Sequence, residues 1–171
     1  MFDFYNEIFK LKNIERKGWL IRNVKNTQNN RVESDAEHTC SMCLLALNII
    51  SKENLNLNIE KVLKMCLYHE LGEIYVGDIT PYDNVSVNEK YKMENEAVEK
   101  LSTLAQMPEM LSLWREFEEN KTEEAKFVKM IDKLDSVKQA KIYSLQNNYP
   151  ELLTEMLERF LPIIGEYKKY I

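Results

Sequence analysis

The chain has 171 residues, 44% of them hydrophobic and 30% charged, with a formal net charge of −5. A chain of this size and composition fits one hydrophobic core, so a single domain over residues 1–171 is expected. The acidic balance argues against a nucleic-acid polymer as the main partner, and no apolar run approaches the roughly 18 residues that would span a bilayer.

The first predicted helix runs from about Asp3 to Ile14, followed by a polar loop over Asn23 to Asn30. The stretch from Lys10 to Arg31 carries seven basic residues against one acid, Glu15. Such a local positive patch on an acidic chain suits a small phosphorylated ligand. Ser34-Asp35-Ala36-Glu37 is a capping box that starts a helix with His38, Met42, Leu45 and Ile49 on one face. Asn58 caps the next helix, in which Val62, Met65, Cys66 and His69 share a face and Gly72 marks the end.

Glu73 to Asn84 contains Gly77 and Thr80-Pro81, so it is expected to be a loop folded over something. Ser86-Val87-Asn88-Glu89 is a second capping box, for a charged helix to about Leu104. Further helices open at Pro108, Thr122 and Pro150, the last carrying Leu152, Met156 and Phe160 before Pro162. Four glycines, four prolines and no sustained period-two alternation make the expected fold all-α, a compact bundle of about six to seven helices. Leu152, Leu153, Met156, Phe160 and Ile163 on the final helix leave a face for a homodimer. The start Met1-Phe2-Asp3-Phe4 lacks the basic-then-apolar order of a signal peptide. Cys40, Cys43 and Cys66, all in apolar segments, read as reduced, buried thiols, so a cytoplasmic protein is expected.

The chain has only two histidines, His38 and His69, and each sits on an apolar helix among acidic residues. Neutral imidazole is the commonest side-chain ligand of catalytic divalent metals. On the helix from Thr122, Asp132 and Asp135 lie beside the apolar positions Phe127, Val128, Ile131, Leu134 and Val137. A carboxylate on a core-facing stripe costs free energy unless it is paired or bound to a metal, so Asp132 needs a partner, either a lysine or a cation. A divalent ion held by imidazoles and carboxylates with open positions polarises a phosphoryl oxygen and activates water. Glu73, one turn past His69, is placed to relay a proton. His69-Glu70-Leu71-Gly72-Glu73 also reads as a variant of the zinc-peptidase HExxH, with Glu73 in place of the second histidine.

His38, the pair His69-Glu70 and Asp132 resemble the H…HD…D signature of HD-domain phosphohydrolases. Gly18-Trp19-Leu20-Ile21-Arg22-Asn23-Val24, Glu33-Ser34-Asp35-Ala36-Glu37-His38, the segment Tyr68 to Ile79 and the segment Glu124 to Leu134 are similar to the 5′-deoxynucleotidase branch. The resemblance implies hydrolysis of (deoxy)nucleoside 5′-monophosphates at one divalent metal, with Mn, Co, Zn, Ni, Fe and Mg as candidates. It implies His38, His69, Glu70 and Asp132 as ligands, Glu73 as general acid/base and Asp78 as a second acid beside the substrate. Trp19 falls where an aromatic packs on the nucleotide sugar. Gly18 departs from members with an arginine there as a phosphate contact, which leaves Arg16, Lys17 or Arg22 for that role, and Arg22 is favoured. Glu70 replaces the usual aspartate: its extra methylene requires a shifted helix or rotamer, or takes it away from the metal. A non-catalytic nucleotide-binding module that keeps the metal site is the other reading.

Overall fold

A computed structural model describes residues 2–171, and the chain is a helical bundle built as the apolar periodicity requires. Helices α1 (Phe2–Ile8), α2 (Lys17–Ile21), α3 (Asp35–Glu53), α4 (Ile59–Tyr68) and α5 (Glu73–Val76) form the first half. Helices α6 (Val87–Ala105), α7 (Pro108–Glu119), α8 (Glu123–Gln146) and α9 (Pro150–Ile164) form the second. The long helix α8 is the axis, packing against α3, α4, α7 and above all α9. Its Val128, Ile131, Leu134 and Val137 interlock with Met42, Ala46 and Ile49 of α3, Val62 and Met65 of α4, and Leu152 and Met156 of α9. A second apolar cluster joins Tyr68, Leu71 and Ile74 to Val98 and Leu101 of α6 and Met110 and Trp114 of α7.

Both capping boxes form, with Ser34 and Ser86 each accepting from the backbone N–H three residues on while Glu37 and Glu89 reach back. With so few glycines, α3, α6 and α7 end instead on Asn54, Gln106 and Asn120 in the left-handed region.

The structure differs from the sequence expectation at several points. The first helix is α only to Ile8 and continues as a 3₁₀ turn over Phe9–Asn13. Two short helices, α5 at the start of the expected Glu73 to Asn84 loop and α2 in the stretch between the first expected helix and the Asn23 to Asn30 loop, raise the helix count above six to seven. Helix α9 runs through Pro162 to Ile164. The proline stands in the last turn, so the break forfeits only the bond to the carbonyl of exposed Glu158. Leu152 and Met156 are buried in the chain's own core, and Leu153 and Phe160 pack against it, so most of the α9 face is spent within the chain. Cys66 is buried, Cys43 half-buried and Cys40 exposed; two residues past His38, Cys40 falls off the core-facing stripe of α3.

The corner between α4 and α5 sets the position of everything functional. From His69 the chain tightens into bonds three residues apart, Leu71 N–H to Tyr68, Glu73 N–H to Glu70 and Ile74 N–H to Leu71. Gly72 lies in this corner against α6, where a Cβ would fall 2.8 Å from Glu94 Cβ and 3.1 Å from its Cα. Gly72→Ala therefore forces α5 away from α6. It is expected to cost about 1–3 kcal/mol, the usual range for overpacking, read as a lower urea midpoint at unchanged m-value. Gly77, at φ +73°, then ends α5 and releases the chain into the 78–85 loop.

Candidate metal centre and phosphate pocket

Three helices bring the two histidines and Asp132 together. His38 is fully buried in the first turn of α3, and His69 follows the last residue of α4. Each ring is fixed through Nδ1: His38 Nδ1 lies 2.8 Å from Asp135 Oδ2, and His69 Nδ1 lies 2.7 Å from the Cys66 carbonyl. Because a carbonyl only accepts, His69 carries its proton on Nδ1 and presents a lone pair at Nε2. His38 Nε2, His69 Nε2 and Asp132 Oδ1 are all buried without a well-formed hydrogen bond, the 3.3 Å approach of His38 Nε2 to Asp132 Oδ1 being a charge contact. Unpaired buried atoms of this kind are costly, and a cation beside the two imidazoles would satisfy them.

The spacing suits one ion. His38 Nε2 is 3.3 Å from Asp132 Oδ1, His69 Nε2 is 3.1 Å from Glu70 Oε1, and His38 Nε2 is 3.9 Å from the same oxygen. Ligands on metal bonds of about 2.0–2.2 Å stand about 3–4 Å apart, so His38, His69 and Glu70, whose donor atoms all lie within 4.8 Å of one another, fit a first-row divalent cation, and Asp132 adjoins that group through His38. Arg16 donates to Glu70 Oε1 at 2.8 Å. The imidazole beside His69 comes from α3 and not from its own helix, unlike the HExxH arrangement.

Charge around this point is balanced unevenly. Burial opposes ionisation of Glu70, but Arg16, His69 and Glu73 together outweigh it and hold the carboxyl well below the usual range. Asp132 is likewise held low against burial, by Lys133 and His38. Glu73 goes the other way: burial, and then the charge of Glu70, keep its carboxyl protonated well above the ordinary value. Burial and Arg16 oppose a charge on His38, yet its contacts with Asp132 and Asp135 raise it to about 9. A cation held at Nε2 would therefore displace a proton.

Asp35 is a participant that the sequence reading absorbed into the capping box. It is completely buried, and an oxygen of Asp35, Glu70 and Glu73 all lie within 4.8 Å of one another. Burial, and then Glu70, push its carboxyl up to about 7. A signal was present, since Asp35 precedes His38 by one turn on the same stripe of α3. Asp135, noted on its stripe, orients His38, and Ser41 donates to its other oxygen at 2.8 Å.

Next to this cluster opens a cavity of about 420 Å³, lined by Trp19, Glu70, Glu73 and Asp132 on one side and by Asp78 to Tyr82 on another. Trp19, on α2, is buried, its indole N–H donating to Glu33 Oε1 at 2.8 Å and its ring edge-on to Tyr143. Asp78 Oδ2 accepts from the Lys17 N–H at 2.7 Å, which anchors the start of α2 to the loop. Arg22 reaches the cavity, but its guanidinium is engaged by Glu155, Tyr82 Oη and the Gly18 carbonyl. The basic stretch from Lys10 to Arg31 is not an open patch. Lys10, Arg16, Lys17, Arg22 and Arg31 are paired with Glu7, Glu70, Asp83, Glu155 and Glu37.

Glu94, under the corner, provides a test of these electrostatics. Burial pushes its carboxyl up to about 7, with Lys90 opposing and Glu70 and Glu118 adding to the shift. The folded chain then holds a proton that the unfolded chain releases at an ordinary carboxylate pKa of about 4.3. The native state binds more protons in that window, so stability falls as pH rises from about 4.3 to about 7. Metal-free Glu94→Gln is expected to melt above wild type at pH 8, with the gap closing at pH 5. An equal or lower melting temperature at pH 8 contradicts this.

Comparison with known proteins agrees with the geometry. A family model described as HD domain matches residues 8–167. The 5′-deoxynucleotidase HDDC2 of Danio rerio is 35% identical over 158 residues, covering 91% of this chain and 75% of that protein. A conserved hypothetical protein from Pyrococcus furiosus superposes with a TM-score of 0.75 at 30% identity, covering 100% of both chains. A predicted metal-dependent phosphohydrolase from Magnetospirillum magnetotacticum superposes with a TM-score of 0.74 at 28% identity, covering 95% of this chain and 82% of that one. With a family model matched over nearly its whole length and a curated relative 35% identical, the chain belongs to the HD-domain family.

Proposed function

We propose that this chain is a metal-dependent phosphohydrolase that cleaves (deoxy)nucleoside 5′-monophosphates to nucleoside and phosphate, acting as a single domain in the cytoplasm. The observation that carries the reading is the set of unpaired buried atoms, His38 Nε2, His69 Nε2 and Asp132 Oδ1, beside a cavity large enough for a nucleotide. His38, His69, Glu70 and Asp132 would hold one divalent cation, which when bound polarises the phosphoryl group and activates the attacking water. The protonated Glu73 carboxyl supplies a proton to the leaving 5′ oxygen. Asp78 borders the substrate while fixing the loop to α2, Trp19 forms the wall against the sugar, and Arg22 closes the rim through Glu155.

The names of relatives such as the 5′-deoxynucleotidase HDDC2 support the nucleotide class, and no described helix is long and apolar enough to cross a membrane. A homodimer belongs to the same reading, with Leu161 and Ile163 the apolar α9 side chains left exposed. A phosphate-release screen of deoxy- and ribonucleoside monophosphates with Mn, Co, Zn, Ni, Fe and Mg tests the activity. Release from at least one nucleotide that depends on added metal is expected, and no release with any metal overturns the reading.

A further inference from the structure

Five cationic side chains line the cavity: Arg16, Arg22, Lys90, Lys133 and Arg159. Four are committed elsewhere or stand away from the cation point. Arg16 is bonded to Glu70 and lies 3.7 Å from Asp35, so it serves the buried carboxylates. Arg22 is engaged by Glu155, Tyr82 and Gly18. Lys90 donates to the Ile79 carbonyl at 2.9 Å and lies 3.4 Å from Glu94, which pins the loop to α6. Arg159 is exposed at the mouth, its guanidinium over the Phe160 ring.

Lys133 differs from all four. Its ammonium is 2.7 Å from Asp132 Oδ2, while the other oxygen of that carboxylate faces His38 Nε2. Among the described residues Asp132 is its only polar partner, and the Phe160 ring, 5.4 Å away, backs the ammonium on another side. An ammonium has three donors, so further donors remain for the cavity. The side chain is half-buried, which weakens competition from water.

We infer that Lys133 is the phosphate-binding cation of this site, its ammonium donating to non-bridging phosphoryl oxygens from its place beside Asp132. This rests on the phosphohydrolase reading above. Once a divalent cation shares the charge of Asp132, the ammonium is held there less strongly and a phosphoryl dianion becomes its better partner. Lys133 thereby fills the role left open by Gly18, in place of Arg22. It neutralises the charge on the phosphoryl oxygens and takes no part in proton transfer.

The test uses Lys133→Met, which keeps the length and removes the charge, and Lys133→Arg, which keeps the charge. Calorimetric binding of inorganic phosphate to metal-loaded protein is read beside metal affinity from titration and KM for a nucleoside monophosphate. Lys133→Met is expected to weaken phosphate binding about 10- to 100-fold and to raise KM similarly, with metal affinity not reduced. Lys133→Arg is expected to recover most of the loss. Phosphate affinity within about twofold of wild type overturns the inference, as does wild-type protein that binds no phosphate. A fall in metal affinity that matches the loss of phosphate also overturns it, because Lys133 would then act only through Asp132. Failure of wild type to release phosphate from any nucleotide strikes the hydrolase reading instead, and the phosphate titration still decides Lys133.

Discussion

Glu73→Gln is expected to lower turnover about 10²- to 10⁴-fold while leaving metal affinity within the wild-type range. The substitution is nearly isosteric, and Glu73 lies outside the His38, His69 and Glu70 group, so the cation site keeps its donors. What is lost is the proton. Burial and the neighbouring charge of Glu70 keep the Glu73 carboxyl protonated, with Oε2 free of any hydrogen bond, which is the state a general acid needs. An amide has no such proton to give a departing alkoxide. Steady-state phosphate release together with a metal titration checks this, and near-normal turnover would make Glu73 merely the opening residue of α5.

Asp132→Asn is expected to abolish detectable metal-dependent turnover by weakening cation binding at least about 100-fold, more than changes around a ligand usually cost. It removes a negative charge 3.3 Å from His38 Nε2 and leaves two imidazoles and Glu70, whose Oε1 is already shared with Arg16. The metal-free fold should survive, because a buried carboxylate is itself expensive and the amide is less so. Circular dichroism of wild-type character with no saturable metal binding is the expected pair of results. Retention of wild-type metal affinity would remove Asp132 from the ligand set.

The parts of this molecule legible in the sequence are those whose periodicity runs over several turns. The stripes of α3, α4 and α8 place His38, His69 and Asp132 on core-facing positions, and a polar residue on such a stripe announces itself by its cost. Helices α2 and α5 have five and four residues, too few for any period, and are held by distant contacts. Asp78 fixes the start of one, and the close approach of Gly72 to Glu94 places the other. Asp35 was hidden because a capping box explained it locally, although its carboxylate points at Glu70 and Glu73. Arg22 appeared free because Glu155, its partner, lies 133 residues away. Lys133 sits at the boundary of the α8 stripe, where lysine is commonplace, and only the position of Asp132 beside the cavity gives it meaning.

On this reading one divalent cation, held between α3, α8 and the α4–α5 corner, is what makes this chain a phosphatase. Cobalt titration of metal-stripped protein, with bound ion and phosphate release from a deoxynucleoside monophosphate followed together, tests it most directly. One ion per chain with release rising in proportion to occupancy, and neither seen in Asp132→Asn, is the predicted result. Full release in the presence of excess chelator, or cobalt binding undiminished in Asp132→Asn, would contradict it.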